Sequence, residues 1–155
     1  MKCMLCPRKC GADREKNIGY CGTGSKIKIA RAALHEWEEP CISAKGGSGA
    51  IFFSGCGLRC IYCQNREISR GRIGIEIDEN RFYEILFELK EKGAENINLV
   101  TAGHFLKQIL PVLKKAKNDG INIPFVYNTS SYEAVEQIKA LDNVVDIYLP
   151  DLKYI

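Results

Sequence analysis

The sequence lacks the features of exported, membrane-spanning and strongly charged proteins. No apolar stretch approaches the roughly 18 residues that a membrane helix needs, and the first residues lack the apolar segment of a signal peptide. The 155-residue chain carries a net charge of only +3 and no run of about five like charges, which argues against electrostatic binding to nucleic acid. We therefore expect a cytoplasmic domain with neither a membrane nor a nucleic acid as its partner.

Histidine is scarce, and several common motifs are absent. The two histidines, His35 and His104, form no HExxH pair, and His35 is interpreted as structural. Cys3 and Cys6 have no paired histidines after them, which excludes a C2H2 zinc finger. Gly46–Gly49 precedes an apolar segment and lacks the Gly-Lys-Ser/Thr of a phosphate loop, so it is predicted to be a turn or linker.

Cysteine, in contrast, is abundant, with eight among 155 residues, or about 5%. In a chain that is not exported the thiols stay reduced, so clustered cysteines indicate metal ligands rather than disulfides. The eight fall into an N-terminal group, a central group and one isolated residue: Cys3, Cys6, Cys10 and Cys21; Cys56, Cys60 and Cys63; and Cys41. Cys41 is interpreted as a free, buried thiol.

Residues 1–25 are poor in apolar side chains and cannot form a hydrophobic core. We predict that they form a cysteine-rich segment held together by a metal bound to its four thiols. Four thiolates suit a structural zinc ion and a 4Fe–4S cluster alike, so both metal centres remain open at this site. Residues 26–49 are predicted to be a linker that contains a short strand, Ile27–Ala30.

Residues 50–155 alternate apolar strands with amphipathic helices. The predicted strands are Ala50–Ser54, Ile97–Thr101, Ile123–Asn128 and Val144–Leu149. The predicted helices are residues 78–92, 105–117 and 131–141. Asp78 is expected to cap the first of them and Gly93 to end it. A capping box of Ser130 and Glu133 is expected to begin the third. Pro111 is expected to kink the second helix or to shift its start. This order predicts an α/β fold with about four parallel strands.

Polar residues follow each predicted strand at its carboxyl end, where ligands bind in parallel α/β folds. They are Ser54 before the central cysteines, Thr101–His104, Asn128–Ser131 and Asp151–Lys153. A closed (β/α)8 barrel needs about 250 residues, so this chain is expected to form an incomplete TIM-like (β/α) barrel. Its last strand would leave an open edge, which suggests a truncated chain or one that needs a partner chain.

The central cysteines have the spacing C-x3-C-x2-C directly after an apolar strand. Thiolates at this spacing suit an iron–sulfur cluster or zinc. Three ligands instead of four leave one metal position open for a substrate. A zinc site, or three buried thiols that borrow Cys41 as a fourth ligand, remains the alternative.

This cysteine loop and its surroundings resemble the radical S-adenosylmethionine (SAM) superfamily. The segment GSGAIFFSGCGLRCIYCQN is similar to the pyruvate formate-lyase activating enzyme group. The N-terminal pattern CxLCPRxCG…GYCG and the segments INLVT, IPFVYNTS, SYEAVEQ and DIYLPDLKY resemble uncharacterised relatives of that group. The resemblance spans most of residues 3–154.

The resemblance implies that Cys56, Cys60 and Cys63 ligate three irons of a 4Fe–4S cluster and that the fourth iron binds SAM. Reductive cleavage of SAM would release a 5′-deoxyadenosyl radical, which abstracts hydrogen from a glycyl-radical enzyme or a small molecule. Flavodoxin or ferredoxin would supply the electron. Implied contacts to SAM lie at Tyr62, beside the adenine, and at Thr101, Ala102, Asn128, Asp151 and Lys153.

The sequence departs from this family pattern in two places. The Gly-Gly-Glu motif that contacts the SAM amino group in many members corresponds here to Thr101–His104, which has no acidic residue, so backbone carbonyls are expected to replace it. His104 is either a site residue or a polar residue at a helix start. The chain also ends before the fifth and sixth strands that complete the SAM pocket. The alternative function is therefore a truncated, non-catalytic iron–sulfur or zinc-binding module.

Overall fold

The computed structural model describes residues 2–43 and 45–153, whose strands form one mixed sheet in the order β3-β1-β2-β4-β5-β6. The strands are β1 (Ile27–His35), β2 (Ser48–Phe53), β3 (Ile75–Ile77), β4 (Ile97–Val100), β5 (Phe125–Thr129) and β6 (Ile147–Pro150). The helices are α1 (Pro40–Ser43), α2 (Arg66–Ser69), α3 (Glu79–Glu91), α4 (Leu106–Asn118) and α5 (Val135–Ala140), with a short 3-10 helix at Gly103–Phe105. The predicted α/β class is confirmed.

Strands β2, β4, β5 and β6 are parallel and lie next to one another in chain order. Ile51 pairs with Leu99, Leu99 with Tyr127, and Tyr127 with Tyr148. Each crossover therefore adds its strand at the same edge of the sheet, as in a (β/α) barrel and unlike a doubly wound sheet. The four parallel strands that the sequence predicts are present, and they form part of a barrel.

The main core lies between this sheet and the long helices. Fully buried side chains from strands and helices meet there, among them Ile51, Leu99, Phe125, Leu86 and Leu113. The longest helices, α3 and α4, have 13 residues each. None of the helices in the described ranges is long and apolar enough to cross a membrane.

Helix α3 forms as its sequence predicts. Phe82, Leu86 and Leu89 recur at helical spacing and are buried on one face. The Asp78 carboxylate accepts a 2.7 Å hydrogen bond from the Arg81 backbone N–H, which satisfies one of the free donors of the first turn. Gly93 follows the helix at φ +90°, a conformation that ends helices and favours glycine.

Strand β1 is longer than predicted and belongs to the sheet. It runs antiparallel to β2, with Ala32 opposite Ile51 and His35 opposite Ser48. Ser48 and Gly49 therefore lie in β2, and the prediction of a turn through Gly49 is wrong. A Cβ on Gly49 would lie 2.9 Å from the Asn96 carbonyl oxygen, so the close approach of these segments requires glycine.

Two helices differ in detail from the prediction. Helix α4 is continuous through Pro111 and begins at Leu106, so the proline does not displace its start. Helix α5 begins at Val135, and the predicted capping box of Ser130 and Glu133 is wrong. Ser131 adopts φ +58°, so the chain turns there before the helix, and Gln137 Oε1 accepts from the Ala134 N–H at 3.1 Å.

Candidate functional site

The three central cysteines lie in one loop at the carboxyl end of β2, here called the cysteine loop (residues 55–63). Burial raises the pKa of the Cys56 thiol, and the negative charges of the Cys60 and Cys63 thiolates raise it further. The Cys63 N–H donates to the Cys60 carbonyl at 3.3 Å. The three thiols are therefore close enough to repel one another as thiolates, a repulsion that a cationic metal core relieves.

The cysteine loop begins at a glycine that its path requires. Gly55 has φ +88°, and a Cβ there would lie 2.6 Å from the Cys21 carbonyl oxygen. Its N–H donates to the Ile68 carbonyl at 2.7 Å, which ties the loop to helix α2. Any larger residue would push the loop away from the N-terminal segment.

A pocket opens beside the cysteine loop, here called the carboxyl-end pocket. Its walls come from the cysteine loop, from the segments after β4 and β5, and from two side chains of other elements. The lining residues are Cys56, Gly57, Leu58, Thr101, Gly103, His104, Ser130, Tyr132, Glu133, Cys6 and Gln137. The carboxyl ends of the parallel strands thus surround a pocket beside Cys56, where the sequence predicts ligand binding.

Backbone hydrogen bonds connect the strand ends around this pocket. The Thr101 N–H donates to the Asn128 carbonyl at 2.9 Å, and the Asp151 N–H donates to that of Thr129 at 2.8 Å. Thr101 has φ +60°, which is rare for a residue other than glycine and directs the chain back toward the cysteine loop. Of the predicted SAM contacts Thr101 lines the carboxyl-end pocket, whereas Ala102 is fully buried beneath it.

The other predicted contacts gather on the outer side of the cysteine loop. Lys153 forms an ion pair with Asp151 at 2.5 Å, which raises the lysine pKa. The negative charges of Cys60 and Tyr62 raise that pKa further, so both groups lie near Lys153. Tyr62 is 55% exposed. The end of β6 therefore reaches the cysteine loop near Cys60.

Backbone carbonyls of residues 102–104 already accept hydrogen bonds from the protein. Ala102 accepts from the Phe105 N–H at 2.9 Å, and Gly103 from Gln137 Nε2 at 2.7 Å. The His104 carbonyl accepts from the Arg14 guanidinium. Each of these oxygens has a second lone pair, so the expectation that backbone carbonyls replace the acidic residue stays a prediction.

The structure places a carboxylate in this pocket that the sequence interpretation missed. A Cβ on Gly103 would lie 3.4 Å from Glu133 Oε1, so this carboxylate packs directly against the segment after β4. Burial raises the pKa of Glu133, and a hydrogen bond with Thr129 opposes that shift. No ion pair joins Glu133 to a cation among the residues that the structure describes. It is thus an unneutralised acceptor at the pocket wall.

Beneath Glu133 lies an unpaired hydroxyl group. Tyr127 is fully buried on β5, and its hydroxyl has no hydrogen-bond partner among the described atoms. Burial raises the pKa of Tyr127, and the negative charge of Glu133 raises it further. Buried polar groups are normally paired, so this hydroxyl is an exception inside the fold, next to Gly103 and Glu133.

His104 serves as a buried link between the strand ends. Its Nε2 lies 2.7 Å from the Ser54 carbonyl oxygen and must carry the proton, since a carbonyl only accepts. Burial lowers the pKa of His104 to about 4; the positive charge of Arg14 lowers it as well, against the opposing effect of the Ser54 carbonyl. The imidazole is neutral at neutral pH and holds the end of β2 against the segment after β4.

Stability at mildly acidic pH is expected to depend on His104. An imidazole in the unfolded chain takes up a proton near pH 6.5, whereas His104 in the folded chain does so only near pH 4. The unfolded state therefore binds more protons between these values. The free energy of unfolding should fall by up to about 3 kcal/mol as the pH drops from about 6.5 to 4, as urea unfolding at a series of pH values will measure.

Two glutamine variants provide the comparison. His104→Gln keeps an N–H donor for Ser54 but does not titrate, so it should lack this part of the pH dependence. His35→Gln removes the other histidine and should retain it. Identical pH dependence in the wild type and in His104→Gln would contradict this account of the histidine.

The four N-terminal cysteines line a second pocket, here called the N-terminal thiol pocket. Its walls also include Arg14 and two residues of the carboxyl-end pocket, Gly57 and His104. Within residues 2–43 and 45–153, no three His, Cys, Asp or Glu side chains converge on a point where they could hold a single metal ion. The four N-terminal cysteines thus line one pocket together, whereas of the three central cysteines Cys56 lines the carboxyl-end pocket.

Cys41 takes no part in either group. It is exposed on the short helix α1, so the predicted burial of this thiol is wrong. The Ile42 carbonyl accepts a 2.6 Å hydrogen bond from Asn96 Nδ2 at the amino end of β4, whereas the cysteine loop follows the carboxyl end of β2. A strand length thus separates Cys41 from the central cysteines, which excludes it as their fourth ligand in this conformation.

Comparisons with known proteins show the family to which the chain belongs. The family model of the radical SAM superfamily matches residues 50–154. The uncharacterized protein MJ0674 of Methanocaldococcus jannaschii is 30% identical over 158 residues, which cover 98% of this chain and 45% of that protein. The chain thus spans less than half the length of this relative. No solved structure matches the present chain. By this match and by its fold, the chain belongs to the radical SAM superfamily.

Proposed function

We propose that the protein binds a 4Fe–4S cluster through Cys56, Cys60 and Cys63 and binds SAM in the carboxyl-end pocket. The observation that carries this proposal is the juxtaposition of three mutually close thiols with a pocket formed by the carboxyl ends of parallel strands. Three protein ligands leave one iron free for the amino and carboxylate groups of SAM. When bound, cluster and SAM supply reductive cleavage to a 5′-deoxyadenosyl radical for hydrogen abstraction.

The polar groups of the pocket are suited to orient SAM. Glu133 is a carboxylate without a cationic partner, and we propose that it binds the positively charged part of SAM, close to Thr101 and Gly103. The fully buried Tyr127 hydroxyl lies behind this wall, 3.1 Å from where a Cβ on Gly103 would stand, and does not line the pocket. Glu133 takes the place of the acidic residue that the segment after β4 lacks.

The remaining predicted contacts extend the proposed SAM site around the cysteine loop. We propose that Tyr62 lies against the adenine ring and that Asp151 and Lys153 contact the ligand's polar groups. Their position beside Cys60 supports this role. Ala102 and Asn128 then act through the backbone that positions Thr101.

The activating-enzyme type of reaction is the finer part of the proposal. It rests on the motif GSGAIFFSGCGLRCIYCQN, and it implies hydrogen abstraction from a glycyl-radical enzyme or a small molecule. The electron would come from a low-potential donor such as flavodoxin or ferredoxin. Such oxygen-sensitive chemistry suits the reducing cytoplasm, where we propose that the protein works.

Strand β6 offers a site for a further strand. It is the last strand in the order of the described sheet, and β5 pairs with it on one side only. Leu152 is 91% exposed just beyond it, and Tyr148 is partly exposed on it. We propose that a partner chain or further part of a longer protein pairs here and completes the pocket.

A non-catalytic iron–sulfur or zinc module is the second candidate. The observation that favours it is the edge strand β6, which pairs with β5 on one side and with no other described strand. Such a module would retain the cysteine loop while binding SAM poorly or not at all. The two candidates therefore differ in the response of the cluster to SAM.

Electron paramagnetic resonance separates the two candidates. After anaerobic reconstitution with iron and sulfide and reduction with dithionite, the enzyme should give a 4Fe–4S signal that shifts when SAM is added. A signal that does not change when SAM is added, or a protein that binds zinc and no iron, would establish the non-catalytic module. Titration of the shift also yields the dissociation constant for SAM.

The same titration tests the role of Glu133. Glu133→Gln removes the charge but keeps the size of the side chain, so the dissociation constant for SAM should rise roughly 10- to 100-fold, as expected for losing a charge-assisted contact of about 1.5–3 kcal/mol. Glu136→Gln, at an exposed position of α5, is the matched control and should bind as the wild type does. Unchanged binding by Glu133→Gln would contradict this role.

A further inference from the structure

The N-terminal segment brings its four cysteines to one pocket. A Cβ on Gly19 would lie 3.4 Å from both Cys21 Sγ and Arg14 Cδ. The Cys3 N–H donates to the Ala12 carbonyl at 2.9 Å, and the Cys3 carbonyl accepts from the Gly11 N–H at 3.0 Å, which folds the segment around Cys10 back onto Cys3. All four thiols line the N-terminal thiol pocket.

Arg14 places a buried positive charge in the wall of this pocket. Its side chain is part of a residue only 7% exposed, and no carboxylate among the described residues forms an ion pair with it. Its N–H groups donate to the Thr23 hydroxyl at 3.1 Å and to backbone carbonyls, including that of His104. Neutral acceptors satisfy these donors but leave the charge without a counter-charge.

The ring of Phe105 does not neutralise the positive charge of Arg14. The guanidinium carbon lies 5.3 Å from the ring centroid, a cation–π contact that stabilises the arginine without neutralising it. A buried cation is costly unless an anion lies near it. The groups in the same pocket that can become anionic are the cysteine thiols.

A metal centre held by four thiolates would supply this anion. Four thiolates outweigh the charge of a zinc ion, and they likewise outweigh that of a [4Fe–4S]2+ core, so either centre is anionic. We propose that Cys3, Cys6, Cys10 and Cys21 hold a second metal centre of this kind and that Arg14 balances its charge. The proposal does not depend on SAM binding, because it uses none of the central cysteines.

The proposed centre would share a wall with the cysteine loop. A Cβ on Gly57 would lie 3.5 Å from Cys6 Sγ, and Cys6 lines both pockets. The Cys56 N–H donates to the Cys21 carbonyl at 3.0 Å, so ligand residues of the two groups are hydrogen-bonded to each other. If both centres contain iron, they lie close enough for magnetic coupling.

Stacked side chains reinforce this wall. Two guanidinium groups make cation–π contacts with the Tyr20 ring, Arg8 at 4.3 Å and Arg59 of the cysteine loop at 5.0 Å from its centroid. Arg8 also donates to the Gly57 carbonyl at 3.5 Å. The N-terminal segment is thus packed on the cysteine loop along its length, which fits two centres that form one unit.

Metal content in a variant without the central cysteines tests the proposal. In the full chain carrying Cys56→Ala, Cys60→Ala and Cys63→Ala, the remaining centre should bind about one zinc ion or one iron–sulfur cluster per chain after anaerobic loading with either metal. Adding Cys3→Ala and Cys21→Ala together, which leaves only two of the four thiols, should abolish this binding, whereas adding Cys41→Ala should not. If the triple variant is folded by circular dichroism and binds neither metal, the proposal is wrong.

The role of the Arg14 charge is tested in the same triple cysteine variant, which serves as the parent protein. Arg14→Gln should weaken metal retention against a chelator roughly tenfold, and Arg14→Lys, which keeps the charge, should restore most of it. A purely structural role would lower the unfolding midpoint in both variants without this difference in metal retention. Equal retention in Arg14→Gln and the parent would overturn the charge-balancing role.

Paramagnetic resonance of the wild-type protein identifies the metal of the second centre. If the second centre is an iron–sulfur cluster, reduction of both centres should broaden the paramagnetic signal of the cysteine loop, and Cys3→Ala with Cys21→Ala should remove the broadening. If it is zinc, the signal should be the same with and without these two thiols, and metal analysis should find one zinc ion per chain that the double variant lacks. An unchanged signal without that zinc would overturn the proposal. A SAM-independent signal would count only against the proposed function, not against this centre.

Discussion

Replacing Cys60 with serine is expected to abolish SAM cleavage by the protein. The hydroxyl is close to the thiol in size, so the loop should keep its fold, but its hard oxygen is a poor ligand for an iron–sulfur core. Cys60 lies near both Cys56 and Lys153, at the point where the loop meets the end of β6. Loss of this ligand should reduce formation of 5′-deoxyadenosine by at least about 1000-fold, since the cofactors carry the chemistry.

The measurement combines chromatography of 5′-deoxyadenosine with paramagnetic resonance in the presence of SAM. Cys41→Ser is the matched control, because that thiol is exposed on α1 and a strand length from the loop. It should retain the iron, the SAM-dependent shift and the product. A Cys60→Ser protein that keeps the shift and the product would show that the cysteine loop does not hold the reactive cluster.

Gly71→Ala is expected to cost about 2–5 kcal/mol of folding stability. Gly71 has φ +72°, which costs an alanine about 1–2 kcal/mol. Its new methyl group would also collide with the Gly22 carbonyl oxygen, and overpacking adds about 1–3 kcal/mol. Gly22 in turn has φ +88°, and a Cβ there would lie 2.5 Å from the Arg70 carbonyl oxygen. The two glycines hold the N-terminal segment against the chain after α2.

Urea unfolding under reducing, metal-free conditions measures this effect. Gly93→Ala is the control, since Gly93 has φ +90° with no atom within 4 Å of a new methyl group, so only the same backbone cost of about 1–2 kcal/mol should appear. The difference between the two variants isolates the contact between the segments. If Gly71→Ala is no less stable than Gly93→Ala, the close packing of Gly22 and Gly71 does not contribute.

Elements whose information is local could be predicted from the sequence. Helix α3 contains its own cap at Asp78 and its own apolar face, and the cysteine loop contains its three thiols within eight residues, from Cys56 to Cys63. Strand β3 gave no such signal. Its three residues are mostly exposed and are ordered by pairing with β1, Ile27 opposite Ile77. No periodic pattern can be recognised over so short a segment.

The composition of the pocket could not be predicted because it depends on contacts between distant segments. Glu133 follows Ser130 at the spacing of a capping box, which suggests a local role. In the fold, the left-handed turn at Ser131 delays the helix and leaves Glu133 against Gly103, thirty positions earlier in the chain. The neutral state of His104 likewise results from burial beneath the N-terminal segment, which local sequence does not reveal.

The winding of the sheet has a consequence for synthesis on the ribosome. Strands β2, β4, β5 and β6 join the sheet in the order in which they leave the exit tunnel, so each one docks on a neighbour that is already in place. No strand has to wait for a later one to fill a gap between them. The growing sheet accordingly presents one unpaired parallel edge at every stage, and the nascent chain can mature as a continuous series of small additions rather than a single late collapse.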